Sequence, residues 1–173
     1  MQEFLEILRI LIPAGAVFAA TYFIVKKFLD NEQKKREMEI RKSSVSLLTP
    51  IKLQAYERVV IFLERLHPNS LVIRVNRADL NAHQLHMELI KTIKSEFEHN
   101  LSQQIYMSHG AWELVKNAKE ETLKLINMSS AKVPGTAKGQ DLAHIILQIT
   151  GGIEKMPSQV ALTYIKKEIT QVF

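Results

Sequence analysis

No cysteine occurs anywhere in the 173 residues. Disulfides, Cys-based zinc sites, iron–sulfur ligation and thiol nucleophiles are therefore excluded, and the absence suits a reducing compartment. Glycine (6), proline (5) and tryptophan (1) are scarce, so long stretches run without a helix breaker. Charge of one sign is not abundant either. Of the net +5, residues 1–42 supply eight basic and six acidic groups (+2) and residues 43–173 fifteen and twelve (+3). Neither part reads as a nucleic-acid surface, and RGG, zinc-finger and RNP-type patterns are missing, so no nucleic-acid partner is expected. What is present is an ordinary folded-protein composition, 46% apolar and 24% charged. The length suits an anchor and one further domain of about 130 residues.

The main positive feature is Ile10–Val25, sixteen residues without a charge. As a helix it spans about 24 Å, slightly less than a hydrocarbon core of about 30 Å. Arg9, Lys26 and Lys27 have long apolar stems that snorkel, which lets the flanking apolar residues complete the span. Glu6 and Arg9, three apart, can partly neutralise each other. Tyr22 lies near the Lys-rich end, where an aromatic interface belt forms. Ala14, Gly15, Ala16, Ala19 and Ala20 leave one side slim enough for close helix–helix contact. A cleaved signal peptide is disfavoured by Glu3 and Glu6 at the start and by the lack of a small-residue site after the run. A buried core helix is disfavoured because this segment is apolar on every face. Basic residues crowd the C-terminal flank (Lys26, Lys27, Lys34, Lys35, Arg36, Arg41, Lys42) against Arg9 alone before it. The positive-inside rule then predicts an inner-membrane, single-pass protein with its N-terminus outside and its C-terminal domain in the cytoplasm.

Three segments are expected: an anchor over 1–29, a charged helical stem over 30–42, and a helical domain over 43–173 with a flexible link near 129–140. The stem lacks Gly and Pro and has helical propensity. Its basic cluster Lys34, Lys35 and Arg36 could hold anionic lipid, an effect reduced by four nearby acids. Beyond it the helical period dominates. Leu48, Ile51, Ala55, Val59, Phe62 and Leu66 share a stripe that ends at His67-Pro68. Asp79 is the expected cap of a helix carrying Leu85, Leu89, Ile90, Ile93, Phe97 and Leu101. Further stripes follow at Trp112, Val115, Ala118, Leu123 and Ile126, at Leu142–Ile149 up to Gly151-Gly152, and at Val160, Tyr164, Ile165, Ile169 and Val172 behind Ser158 as cap. Leu71–Val75 is the one β-like run; lacking a partner strand, it is an extended connector or a helical turn. The predicted fold class is all-α: a single transmembrane helix and a four- to five-helix cytoplasmic bundle.

No reaction chemistry stands out. A carboxylate-bridged dimetal site would need Glu-x-x-His on two helices. Glu64 with His67 and Glu96 with His99 match that spacing, but His67 abuts a proline and His99 shares a polar face. His83 and His86 lack a third ligand. Gly135–Gln140 has the wrong glycine spacing and lysine position for a phosphate loop. No catalytic residue, metal, cofactor or small-molecule substrate is therefore expected, and the chain is not read as an enzyme.

The amide-rich junction from Glu98 to Tyr106 is either a hydrogen-bonded helix junction or a partner-docking surface, with His99, Asn100, Gln103, Gln104, Tyr106 and Trp112 as the candidate contacts. The surrounding run EFEHNLSQQIYMSHGAWELVKNAKEE resembles the central signature of an uncharacterised group of short membrane-anchored proteins from Bacteroidetes, with the anchor and Leu71–Val75 matching too. That resemblance implies a single anchor and a helical domain, and no activity. The leading expectation is a membrane-anchored interaction or scaffold protein, an accessory part of an inner-membrane complex, whose partners are lipid and either another protein or a second copy. A dimetal-carboxylate enzyme and an anionic-lipid-binding peripheral domain are the alternatives.

Overall fold

In the computed structural model the backbone is described over residues 2–172, and the side chains of all of these except residues 3, 5–8, 10 and 172. The expected Glu6–Arg9 pairing and the inward placement of Val172 lie outside the described residues. The architecture is all-α: six α-helices, a 3-10 turn and no β-strand among the described residues. Helix α1 runs Gln2–Leu66, α2 Pro68–Val75, α3 Ala82–Asn100, α4 His109–Ser130, α5 Gly139–Gly151 and α6 Pro157–Val172; the 3-10 turn is Leu101–Tyr106.

Residues 2–29, 30–42 and 43–66 all lie within helix α1. The chain divides into two compact units between Thr49 and Pro50. Pro50 is tolerated inside α1 although it removes one backbone donor. The N-terminal unit is a lone helix whose apolar side chains are uncovered: Leu11, Ile12, Val17, Phe18, Phe23 and Ile24 are each 64–75% exposed. The Thr21 hydroxyl donates back to the Val17 carbonyl at 2.8 Å, so it presents no free donor to its surroundings.

In the second unit, Pro50–Phe173, helix faces converge on a single core. The expected stripe on α1 is buried only from Ala55 onward, through Tyr56, Val59, Phe62, Leu63 and Leu66; Leu48 (57%) and Ile51 (44%) remain exposed. Helix α3 contributes Leu85, Leu89, Ile93 and Phe97 at a four-residue interval, one helix face repeated. Helix α4 packs against α3, α5 and α6, and presents Trp112, Val115, Ala118, Leu125 and Ile126. Leu142, Ala143 and Ile146 come from α5, and Ala161, Leu162 and Ile165 from α6. Val160 and Tyr164 are 45% and 43% exposed, so α6 turns a neighbouring face inward from the one its periodicity suggested.

Leu71–Val75 is helical. Pro68 occupies the first turn, where its missing N–H costs nothing, and the His67 ring accepts from the Asn69 N–H. Leu71 and Val72 are buried by that short helix. The cap of α3 is Asn81, not Asp79. Its side chain accepts from Gln84 N at 2.8 Å while Gln84 returns a bond to Asn81 N at 3.0 Å, a reciprocal box. Asp79 instead faces Arg77 at 3.5 Å. Nor does Ser158 cap α6. The helix begins at Pro157, and Gln159 accepts from Met156 N at 3.3 Å. The Ser158 hydroxyl is buried without a partner. Helix α5 does end at Gly151, but Gly152 has φ −85°, so the stop uses no left-handed cap.

The segment after α4 is tied down at several points. Ala82 N donates to Ala137 O (2.8 Å), His83 N to Gly135 O (3.2 Å) and Gly139 N to Leu80 O (2.9 Å), around an isolated antiparallel bridge between Asn81 and Lys138. These bonds require close approach of two backbones, and at Gly139 that approach leaves no room for a side chain. A Cβ there would sit 2.8 Å from the Leu80 carbonyl oxygen and 3.3 Å from Asn76 Oδ1. Because the obstacle is backbone, Gly139→Ala is expected to destabilise the domain by about 1–3 kcal/mol, read as a lower urea midpoint. A midpoint equal to or above that of the unaltered protein would show the bridge to be slack.

Candidate functional site

Three places collect polar side chains, and each was built by a different local rule. The first is the helix junction. His99 is exposed and its Nδ1 pairs with the Ser95 carbonyl at 2.8 Å; Asn100 donates to the Glu96 carbonyl at 2.8 Å. Both side chains thus bond back onto carbonyls one turn earlier in α3 instead of reaching outward. Gln103 is buried, with its amide donating to Ser102 Oγ at 3.2 Å. Gln104 is exposed and Tyr106 half-buried. Trp112, 5% exposed, belongs to the core: it stacks on Phe97 with centroids 5.6 Å apart, and Phe97 lies 6.0 Å from Phe62. Of the six candidate contacts, the structure leaves His99 and Gln104 on the surface, beside Ile105, which is 73% exposed.

The second place is the pair of Glu-x-x-His segments. Glu96 is held by an ion pair with Arg74, and His67 by its capping role. Glu64 is exposed on α1. Among the described residues, no three His, Asp or Glu side chains gather in a way that could hold a metal ion. His86 is likewise engaged, its Nε2 lying 2.8 Å from Asn127 Oδ1.

The third place was not visible in the sequence. Glu168 on α6 accepts the Tyr56 phenol from α1, the Ser108 hydroxyl, and the Ser108 N–H at 3.0 Å. Ser108 Oγ in turn accepts from Ala111 N at 3.1 Å, capping α4. Burial pushes the Glu168 carboxyl up, but the bonds from Ser108 and Tyr56 and the nearby Lys52 charge outweigh it, leaving it below its ordinary value. Tyr56 is pushed well above the ordinary phenol range, first by burial, then by its bond to Glu168 and that group's charge. A neutral phenol and an ionised carboxylate, with these donors already committed, make a clamp joining three helices. A Ser108-x-x-Ala111 helix start is legible as a cap, but nothing local announces that residues 112 positions apart will meet.

In the first unit, Arg9, Tyr22, Lys26 and Lys27 are all exposed on α1, as are Lys34, Lys35 and Arg36. Among the described residues, α1 is the one helix long and apolar enough to cross a bilayer.

All-helical over its described residues, with one long apolar N-terminal helix and a polar clamp joining three helix segments, the chain falls in the class of small all-α proteins. A family model described as a family of unknown function, DUF7935, matches residues 2–172, and the chain belongs to that family. No curated protein and no solved structure matches the chain.

Proposed function

We propose that this protein is a membrane-anchored interaction or scaffold protein. Residues 1–29 cross the inner membrane once, and the helical domain lies in the cytoplasm as an accessory part of a membrane complex, in keeping with the short Bacteroidetes proteins it resembles. The observation that carries this reading is the complete lack of burial along the apolar stretch of α1. A run of leucine, isoleucine, valine and phenylalanine left in water would forfeit the hydrophobic free energy that the rest of the chain gains by folding. Lipid removes that cost. Arg9 on one side and Lys26 and Lys27 on the other then sit at the two interfaces, with Tyr22 in the belt. The exposed stem cations Lys34, Lys35 and Arg36 add a weaker hold on anionic headgroups. The side bearing Ala14, Gly15, Ala16, Ala19 and Ala20 is the face offered to another membrane helix, from a partner or from a second copy.

Fractionation tests the anchor. The full chain is expected in the membrane pellet and is expected to stay there through alkaline carbonate extraction. Phe18→Arg places a charge mid-run at about 2.5–3.5 kcal/mol in insertion free energy, and is expected to shift most of the protein to the soluble or degraded fraction. Release of the unaltered protein by carbonate would refute the span. Protease added outside spheroplasts is expected to leave the domain intact, and digestion of the domain would reverse the orientation. Chemical cross-linking in membranes is expected to give a defined dimer or hetero-complex, and a monomer alone would remove the scaffold role.

A further inference from the structure

A groove of about 390 Å³ lies between α1 and α3 in the second unit, lined by Arg58, Ile61, Phe62, Arg65, Ser95, Glu96, His99 and Asn100. Its charges do not cancel. Glu96, the one acid in the lining, is already matched by Arg74, whose second guanidinium nitrogen also reaches the Arg65 carbonyl at 3.4 Å. Arg58 and Arg65 enter none of the ion pairs found among the described residues. Their positions explain why. The residues three and four away from Arg58 are Gln54, Ala55, Ile61 and Phe62; those around Arg65 are Ile61, Phe62, Pro68 and Asn69. No acid occupies the neighbouring positions that form pairs on a helix. Glu57 and Glu64 precede each arginine by one residue and so point about 100° away around the axis.

The two arginines are themselves seven residues apart, about 10.5 Å of rise and about 20° of rotation. They share a face, at a span that two long side chains can close. Between them lies Ile61, 47% exposed, above buried Phe62. An apolar floor lowers the local dielectric and strengthens any charge held above it. The opposite wall adds neutral groups. The Ser95 hydroxyl has no hydrogen-bond partner of its own among the described bonds, while His99 spends its Nδ1–H on the Ser95 carbonyl. Two unmatched guanidinium forks beside a free hydroxyl suit a compact anion with several acceptor oxygens, which a phosphate provides and a single carboxylate does not.

We infer that the α1–α3 groove is an anion site in which Arg58 and Arg65 bind a phosphate group, carried either on a soluble phosphate compound or on a phospholipid headgroup. Every residue involved lies between positions 58 and 100, so the site is independent of the anchor: its failure leaves the membrane reading standing, and the reverse holds too.

Isothermal titration of the full-length protein in non-ionic detergent tests this, with inorganic pyrophosphate as one probe and dihexanoylphosphatidylglycerol as the other. Saturable binding of at least one probe is expected, weakening as sodium chloride is raised. In the Arg58→Gln/Arg65→Gln double variant the affinity is expected to fall at least about tenfold, with an unchanged thermal midpoint showing that the fold survives. Arg58→Lys/Arg65→Lys keeps the charge but not the fork, and an intermediate loss is expected. Lys132→Gln, away from the groove, is expected to bind as the unaltered protein does. Pyrophosphate binding alone assigns a soluble phosphate compound; binding of the glycerophospholipid alone assigns the headgroup; binding of both, each lost in the double variant, assigns the phosphate group as the common determinant. No saturable binding of either probe, or binding that the double variant leaves undiminished, overturns the site.

Discussion

Trp112→Ala is expected to destabilise the folded domain by about 3–5 kcal/mol, a large share of the roughly 5–15 kcal/mol that holds a domain of this size together. The indole is 5% exposed and stacks on Phe97 with an interplanar angle of 23°. Phe97 packs in turn on Phe62, and Lys119 Nζ lies 4.3 Å above the Phe97 ring. Removing Trp112 therefore strips an aromatic row of its end member and leaves a cavity that helices α3 and α4, packed together, cannot easily close. Urea denaturation followed by far-ultraviolet circular dichroism measures the loss. Trp112→Phe is expected to recover most of it, since it restores the stack at smaller volume. Lys119→Ala is expected to cost about 0.5–1 kcal/mol through the lost cation–π contact. A Trp112→Ala protein as stable as the unaltered one, but unable to form its cross-linked complex, would move Trp112 from the core to a contact surface.

Glu168→Ala is the second large effect, at about 1–3 kcal/mol. It strands the phenol of Tyr56, itself only 1% exposed, whereas the two Ser108 donors it also frees are exposed and turn to water. Each unsatisfied buried donor costs about 1–3 kcal/mol. The pH dependence has a defined sign on each limb. The Glu168 carboxyl is lowered in the fold, so its contribution is present above the ordinary carboxyl value of about 4.3 and is lost as pH falls through the lowered folded value. The Tyr56 phenol is raised, so its contribution is complete below the ordinary value of about 10 and disappears as pH climbs toward the folded one. Between those limits the clamp's contribution is expected to be flat. Denaturation midpoints of the unaltered protein and Glu168→Gln should converge as pH drops below about 4. The unaltered protein and Tyr56→Phe should converge above about pH 10. Curves that stay parallel across the whole range would mean that the clamp does not titrate with the fold.

These two sites differ in how far the sequence reveals them. The Trp112 stripe is legible because helical burial repeats locally: Trp112, Val115, Ala118 and Ile126 lie at helical spacing, and the structure buries all four. The α3 face is legible for the same reason, and the all-α class follows from such stripes. Boundaries were harder to read. Asn81-x-x-Gln84 is a capping box written plainly in the chain, yet Asp79 offers a competing cap two residues earlier, and only the backbone decides between them. Leu71–Val75 reads as β-like because its β-branched residues favour strands. Burial of Leu71 and Val72 against the core overrides that preference. The Glu168 clamp and the Arg58–Arg65 groove depend on side chains from separate helices meeting in space, and no one-dimensional period carries that information. Half of the groove is visible in retrospect, as two arginines seven apart with no acid at pairing distance.

The same clamp has a consequence during synthesis. Tyr56 and Glu168 are separated by 112 residues, so one helix must wait for the other. At roughly 5–20 residues per second, translation leaves Tyr56 without its acceptor for about 6–22 s. Over that interval Val59, Phe62 and Leu63 on the same helix lack the later helices that complete their cover. The nascent chain therefore offers a chaperone an apolar ridge with a defined lifetime, which ends when the last helix leaves the ribosome.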